Sequence, residues 1–221
     1  MRQRTRLKVC CIASIDEARL AIECGADALG LVARMPSGPG PIDDALIRSI
    51  AAAVPPPIAT FLLTSEIDPD AVVEHVRSTG VNTVQLVDDE TGTDVYRALR
   101  AHAPTVRIVQ VIHVRDESSI TRALAAAPHV DALLLDSGNP GAAVRELGGT
   151  GRTHDWSLSR LIVERCNRPV FLAGGLNQGN IADAVAAVSP FGVDLCSAVR
   201  TNGNLDAGKL AAFVTNLHAP R

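Results

Sequence analysis

Eight short apolar runs, each followed by a segment of helical period, predict an α/β chain folded as a (β/α)8 TIM barrel around a parallel eight-stranded barrel. The apolar runs are continuous rather than alternating, as expected of strands buried on both faces. Spread over eight units, 221 residues give about 28 per unit, near the low end for this fold. Residues 1–221 are therefore expected to form one domain. A doubly wound open sheet is the competing arrangement. Against it, no GxGxxG opens the first helix, and the glycine-rich turns fall late in the chain, where barrels often bind phosphate.

Taken in order, the strands are expected at Leu7–Ile12, Ala28–Val32, Ile58–Leu63, Thr83–Leu86, Arg107–Ile112, Ala132–Leu135, Val170–Ala173 and Gly192–Cys196. The helices between them are expected at Ile15–Cys24, Asp43–Ala53, Pro69–Ser78, Thr93–Ala103, Glu117–Ala127, Ser157–Cys166, Gly179–Val188 and Asp206–Leu217. In the first helix Ile15, Ala18, Leu20, Ala21 and Ile22 interleave with Asp16, Glu17, Arg19 and Glu23, which gives one apolar and one charged face. Ser14 and Asp68 stand at N-cap positions, and Gly25 and Gly80 follow helix ends.

Hydrophobic residues make up 47% of the chain and charged residues 20%, which argues for an ordered, well-buried fold. With aromatics at 3%, the core must be filled by Val, Ile, Leu and Ala. A net charge of −3 and scattered Lys and Arg offer no basic field, so nucleic acid is not an expected partner. The basic start lacks the apolar run of a secretory signal, and nowhere do eighteen apolar residues run together. A cytoplasmic protein with no membrane partner is expected, as a monomer or a homodimer. Cys10, Cys11, Cys24, Cys166 and Cys196 are odd in number and lack both CxxC spacing and histidine partners at zinc spacing, so they read as thiols rather than a disulfide framework or metal site.

Chemistry in such a barrel sits where strands end. The stretch Ala132–Trp156 opens as a strand, ends it on Asp136, and then spends about twenty residues on a loop, a length that is usually functional. Its tail, Gly148-Gly149-Thr150-Gly151-Arg152, can lay backbone N–H groups and a hydroxyl against an anion, or can simply turn at the surface. The seventh strand exits on Gly174-Gly175, with Asn177 and Asn180 before a helix, and the eighth on Ser197 and Ala198. Together these suggest one phosphate held by several backbone loops. The first strand exits with Lys8, Cys10 and Cys11. Strand alternation predicts that Lys8, Cys10 and Ile12 share a face, so that only one of the adjacent thiols looks into the barrel. A thiol and a carboxylate across a substrate can run a metal-free proton transfer. The thiol ordinarily ionises only near pH ~8.5, and Lys8 is a candidate for lowering that value. Spacing alone favours a plainer reading, with Cys10 as a buried core residue and Lys8 as an internal ion-pair partner.

Several segments carry a family resemblance: Lys8-Val9-Cys10, Gly25 to Gly30, Val84-Gln85-Leu86, Leu134-Leu135-Asp136-Ser137, Gly148 to Trp156, Leu172 to Asn177 and Phe191 to Asp194. In order and spacing they resemble phosphoribosylanthranilate isomerase across nearly the whole chain. The resemblance implies a cofactor-independent Amadori rearrangement in tryptophan biosynthesis, acting on a small phosphorylated amino-sugar. By the same resemblance, Cys10 is the general base at ribose C2 and Asp136 the general acid that opens the ring. The resemblance further implies that Gly149, Thr150, Gly151, Gly174, Gly175, Ser197 and Ala198 hold the phosphate; Lys8, Gln85, Arg34 and Asp88 are the other residues expected in the substrate pocket.

The chain also departs from the family pattern. Cys11 stands where KICGIT has glycine. The segment after strand two, Met35 to Pro41, lacks the family's arginine, with Arg34 nearby but offset, so a charge-assisted clamp on the substrate is missing. Val87-Asp88 replaces the HG of QLHG, and Cys196-Ser197-Ala198-Val199-Arg200 replaces SSGVE. Arg200 is read either as a substitute for the missing charge or, slightly favoured, as a solvated cation. Two other readings stay open: a relative that isomerises a different aminoaldose phosphate, and a sugar-phosphate-binding protein without turnover.

Overall fold

The computed structural model describes residues 4–36, 38–138 and 153–219. Eight parallel strands close on themselves: β1 (Arg6–Val9), β2 (Ala28–Val32), β3 (Ala59–Thr64), β4 (Thr83–Leu86), β5 (Arg107–His113), β6 (Ala132–Asp136), β7 (Val170–Leu172) and β8 (Gly192–Leu195). The ladder Lys8↔Asp194, Val9↔Leu195 between β1 and β8 seals the ring. Eight helices alternate with them: α1 (Ile15–Glu23), α2 (Asp44–Ala53), α3 (Pro69–Thr79), α4 (Thr93–His102), α5 (Ser118–Ala126), α6 (Trp156–Arg165), α7 (Ile181–Val188) and α8 (Ala207–Leu217). The expected barrel is thus observed, with element ends shifted by one or two residues in most cases.

Local chemistry accounts for the element boundaries. Ser14 Oγ accepts from Glu17 N at 3.0 Å and Asp68 Oδ1 from Ala71 N at 2.9 Å, capping α1 and α3, while Gly80 ends α3 in the left-handed region at φ 69°. A recurring device sets the barrel's N-terminal rim. Asp27, Asn82 and Asp131 each stand just before an even-numbered strand, and their side chains accept the N–H of the second residue of the preceding odd one, from Leu7 (2.9 Å), Thr60 (2.9 Å) and Ile108 (2.8 Å). Orphaned strand-start donors are satisfied in this way.

Two apolar clusters result. The larger lies between strands and helices and includes Leu7, Val9, Leu29, Leu31, Leu62, Val84, Leu86, Leu133, Leu135 and Phe213. The smaller fills the lumen with Ala28, Val32, Phe61, Leu63, Val109, Val111, Ala132, Leu134, Phe171 and Ala173. Three of the four phenylalanines gather here, Phe171 meeting Phe61 and Phe191 edge to face at 6.0 and 5.4 Å. Gly192 makes room for this, because a Cβ there would stand 2.7 Å from the Phe171 ring. No helix among the described residues is long and apolar enough to cross a membrane.

Past β8 the chain forms something the sequence reading lacked. A 3-10 turn over Ser197–Val199 leads into an antiparallel hairpin of β9 (Arg200–Thr201) and β10 (Asn204–Leu205). Asn202 and Gly203, at φ 51° and 83°, make its two-residue turn.

Candidate active site

At the C-terminal mouth, parity assigns the inward side chains. Lys8 and Cys10 point into the lumen from β1, and Asp136 continues the inward row Ala132, Leu134 on β6. Since β1 and β6 stand three places apart round an eight-strand ring, Cys10 and Asp136 face each other across the mouth. Asp136 is half-buried, and its Oδ1 accepts from Ser137 N at 2.7 Å.

The expected alternation fails just after Cys10. Cys11 adopts φ 63°, the left-handed region, so it turns inward with Cys10 while Ile12 turns outward into the helix-facing core. Both adjacent thiols therefore face the barrel mouth, contrary to the strict strand pattern, because β1 ends at Val9. Gly40 (φ 81°) packs directly on Cys11, whose Cβ lies 2.6 Å from where a Gly40 Cβ would be, and Cys11 Sγ lies 3.5 Å from Pro39 O.

Lys8 is wholly buried, its Nζ donating to Asp194 Oδ2 at 2.8 Å and lying 5.3 Å from the Phe61 ring centre. The ion-pair reading from sequence therefore describes Lys8. Burial alone would drive its pKa down, but Asp194 outweighs that and holds it above the ordinary lysine value. Asp194 is also raised, chiefly by burial and against the pull of Lys8. Two upward shifts pull the pair's ionisation in opposite directions. The 2.8 Å contact and the raised lysine favour an intact ion pair at neutral pH. Gln85, inward on β4, is buried with Oε1 unpartnered among the described residues.

Gly30 on β2 leaves the space that Cys10 and Lys8 occupy. A Cβ there would stand 2.8 Å from Cys10 Sγ, 3.0 Å from Cys10 Cα and 3.0 Å from Lys8 Nζ. Gly30→Ala is therefore expected to displace Cys10 and lower kcat by about 10²-fold with the barrel still folded, as measured by steady-state kinetics beside circular dichroism. An unchanged kcat would mean the thiol's placement does not matter.

The loops expected to meet a phosphate are described in part. Gly174 and Gly175 follow β7 at φ 82° and 61°, left-handed conformations that suit glycine. Asn180 Nδ2 and Asn177 Nδ2 both donate to Gly175 O, at 3.0 and 3.2 Å, tying this turn to the start of α7. Ser197 and Ala198 open the 3-10 turn after β8. These are the strand-seven and strand-eight exits where such barrels cradle phosphate. Gly149, Thr150 and Gly151 lie outside the described residues.

The other pocket candidates divide. Arg34 is exposed just past β2. Asp88 is buried, with Oδ1 accepting from Glu90 N at 2.9 Å, so its carboxylate holds a turn. Arg200, read from sequence as slightly more at home in solvent, is instead only 11% exposed. It meets Glu17 at 2.9 and 3.1 Å, Gly203 O at 2.7 Å, and the carbonyls of Cys10 (3.4 Å) and Cys11. Glu17 supplies the half-buried counter-charge, and burial of its carboxyl is more than offset by Arg200 and by the N–H groups of Leu205 and Ala13, which hold its pKa down.

Two histidines were missed by the sequence reading. His113 ends β5 in register with Asp136 and shares the inward parity of Val109 and Val111. It is fully buried, its Nε2 lies 3.0 Å from Val87 O, and its Nδ1 has no partner among the described residues. Its signal was the parity of its strand. An imidazole from β5 thus stands against Val87, the position where the family pattern carries histidine on the neighbouring strand. His154 Nε2 lies 2.7 Å from Ser159 Oγ; burial holds its pKa below the ordinary value despite the nearby Asp136.

Comparison with known proteins agrees with this geometry. The family model described as N-(5'phosphoribosyl)anthranilate (PRA) isomerase matches residues 7–216. A Methanosarcina mazei protein named N-(5'-phosphoribosyl)anthranilate isomerase 2 is 39% identical over 95% of this chain and 92% of its own, and a Halobacterium salinarum relative named N-(5'-phosphoribosyl)anthranilate isomerase is 37% identical over 97% and 96%. The crystal structure of phosphoribosyl anthranilate isomerase from Thermotoga maritima superposes with a TM-score of 0.81 at 29% identity, covering 96% of this chain and 98% of that one. A phosphoribosyl anthranilate isomerase solved with reduced 1-(o-carboxyphenylamino)-1-deoxyribulose 5-phosphate superposes with a TM-score of 0.77 at 28% identity over the same shares. With a closed barrel, a mouth that opposes a thiol to a carboxylate, a family model matching residues 7–216 and relatives matching over more than nine-tenths of both chains, the chain belongs to the N-(5'-phosphoribosyl)anthranilate isomerase family.

Proposed function

We propose that this chain isomerises N-(5-phosphoribosyl)anthranilate to 1-(2-carboxyphenylamino)-1-deoxyribulose 5-phosphate in tryptophan biosynthesis, with Cys10 and Asp136 as its acid–base pair. The observation that carries this reading is the opposition of Cys10, just past β1, and Asp136, at the end of β6, across one mouth. Asp136 gives a proton to the ring oxygen as the C1–O bond breaks, leaving an open-chain Schiff base. Cys10, as thiolate, takes the proton from C2, and the electron pair of that C–H bond moves toward the iminium nitrogen to give the enolamine. Proton return at C1 and loss of the hydroxyl proton at C2 give the ketose, so no electrons leave the substrate. The Gly174–Gly175 turn and the Ser197–Ala198 start of the 3-10 turn hold the phosphate, and Arg34, Gln85 and His113 lie round the remainder of the mouth.

A second reading, a different aminoaldose phosphate, draws on the missing arginine after β2. Asp88 does not add to it, since that carboxylate is engaged at Glu90. The test is a turnover assay with the anthranilate substrate generated in situ, following loss of its fluorescence. Multiple turnovers are expected. No turnover, with inorganic phosphate still stabilising the protein, would favour the second reading.

A further inference from the structure

Cys11, Cys196 and Arg200, three residues at which this chain departs from its family's pattern, meet at one place. The rung Val9↔Leu195 and the 2.8 Å bond from Cys10 N to Leu195 O bring the exits of β1 and β8 side by side. Cys11, turned inward by its positive φ, lies with Cys10 in the lumen cluster, and Cys196 packs against that same cluster. Arg200 bonds the carbonyls of Cys10 and Cys11 from the other side. All of these thiols are free. Cys10 and Cys11 are buried, whereas Cys196 is half-buried and open to a small reagent.

We infer that Cys11 and Cys196 form a reversible oxidation site for hydroperoxides, set beside the proposed base Cys10. The Cys196 thiolate attacks the peroxide oxygen, giving Cys196 sulfenic acid and releasing alkoxide or hydroxide, which takes up a proton. The Cys11 sulfur then displaces that hydroxyl, giving a Cys11–Cys196 disulfide and water, while a dithiol reduces the bond back. The two thiols are suited to different roles. The Cys11 S–H bond and then the Arg200 guanidinium hold the Cys196 thiol below its ordinary pKa against burial, while contact with Cys10 and Cys196, together with burial, pushes the Cys11 thiol up. Cys11 and Cys10 are poorer partners for each other. Across a trans peptide their Cα atoms are only ~3.8 Å apart, below the ~4.4 Å at which disulfides become common.

Bonding Cys11 to Cys196 would drag the β1 exit toward β8, and Cys10 with it. Oxidation is therefore expected to lower isomerase activity, an expectation that rests on the proposed function, whereas the bond itself does not. The test treats the whole protein with hydrogen peroxide, blocks remaining thiols by alkylation and maps cross-linked peptides by mass spectrometry. A Cys11–Cys196 link that dithiothreitol removes is expected, with turnover falling about tenfold or more and returning on reduction. Cys196→Ser and, separately, Cys11→Gly should form no such link, and their turnover should survive the same treatment. A Cys11–Cys196 link in a protein that never turned over would sink the proposed function and leave the oxidation site standing. A different disulfide, oxidation confined to Cys10, or no link at all in an active enzyme would overturn the site.

Discussion

Cys10→Ala is expected to cut turnover by about 10²–10⁴-fold, the usual contribution of a positioned general base, with unfolding stability changed by only about 1 kcal/mol. Alanine keeps the β1 exit in place, because the Cys10 N–H bond to Leu195 O and the Arg200 contacts to the Cys10 and Cys11 carbonyls involve the main chain. Only the sulfur is lost. Asp136→Asn is the matching change on the other wall. The amide oxygen can still accept from Ser137 N, so the loop start is preserved, but the amide carries no acidic proton for the ring oxygen. Steady-state kinetics with thermal unfolding separates lost chemistry from lost fold. A rate within a few fold of the parent in either variant would remove that residue from the mechanism.

The largest effect on stability is expected below the mouth. Lys8→Met leaves Asp194 buried and without its ammonium partner, and should cost about 3–5 kcal/mol, read as a lower urea midpoint at similar m-value. Asp194→Leu should do the same by stranding Lys8. Joining the two changes should recover most of the loss, because an apolar pair replaces a desolvated ionic one. The lysine contributes its own pH dependence. Its pKa is raised on folding, so its stabilisation is complete below the unfolded value near ~10.4 and is lost only as pH rises through the higher folded value. A midpoint unchanged in Lys8→Met would show that the ion pair contributes nothing.

Much of the barrel was legible because both periodicities were clean. Runs such as Ala28–Val32 and Thr83–Leu86 match the observed strands residue for residue, and Ser14, Asp68 and Gly80 mark helix ends by side-chain chemistry that acts within a few residues. Cys10 and Asp136 were legible as strand-end residues, and their opposition follows from the strand count. What sequence period missed depends on single backbone angles and long-range partners. The inward turn of Cys11 needs φ 63°, which strand alternation does not anticipate. Arg200 looked solvated because its partner Glu17 lies 183 residues away. His113 was one residue beyond the expected end of its strand, although the parity of Val109 and Val111 already pointed inward. The Asn202-Gly203 pair was a hairpin signal that went unused.

The central claim is that Cys10 removes the proton at ribose C2, and a single-turnover experiment with substrate deuterated at that carbon tests it most directly. The account predicts that deuterium slows the intact enzyme's chemical step severalfold and that Cys10→Ala loses the step altogether. A step indifferent to deuterium, with Cys10→Ala as fast as the parent, would contradict it.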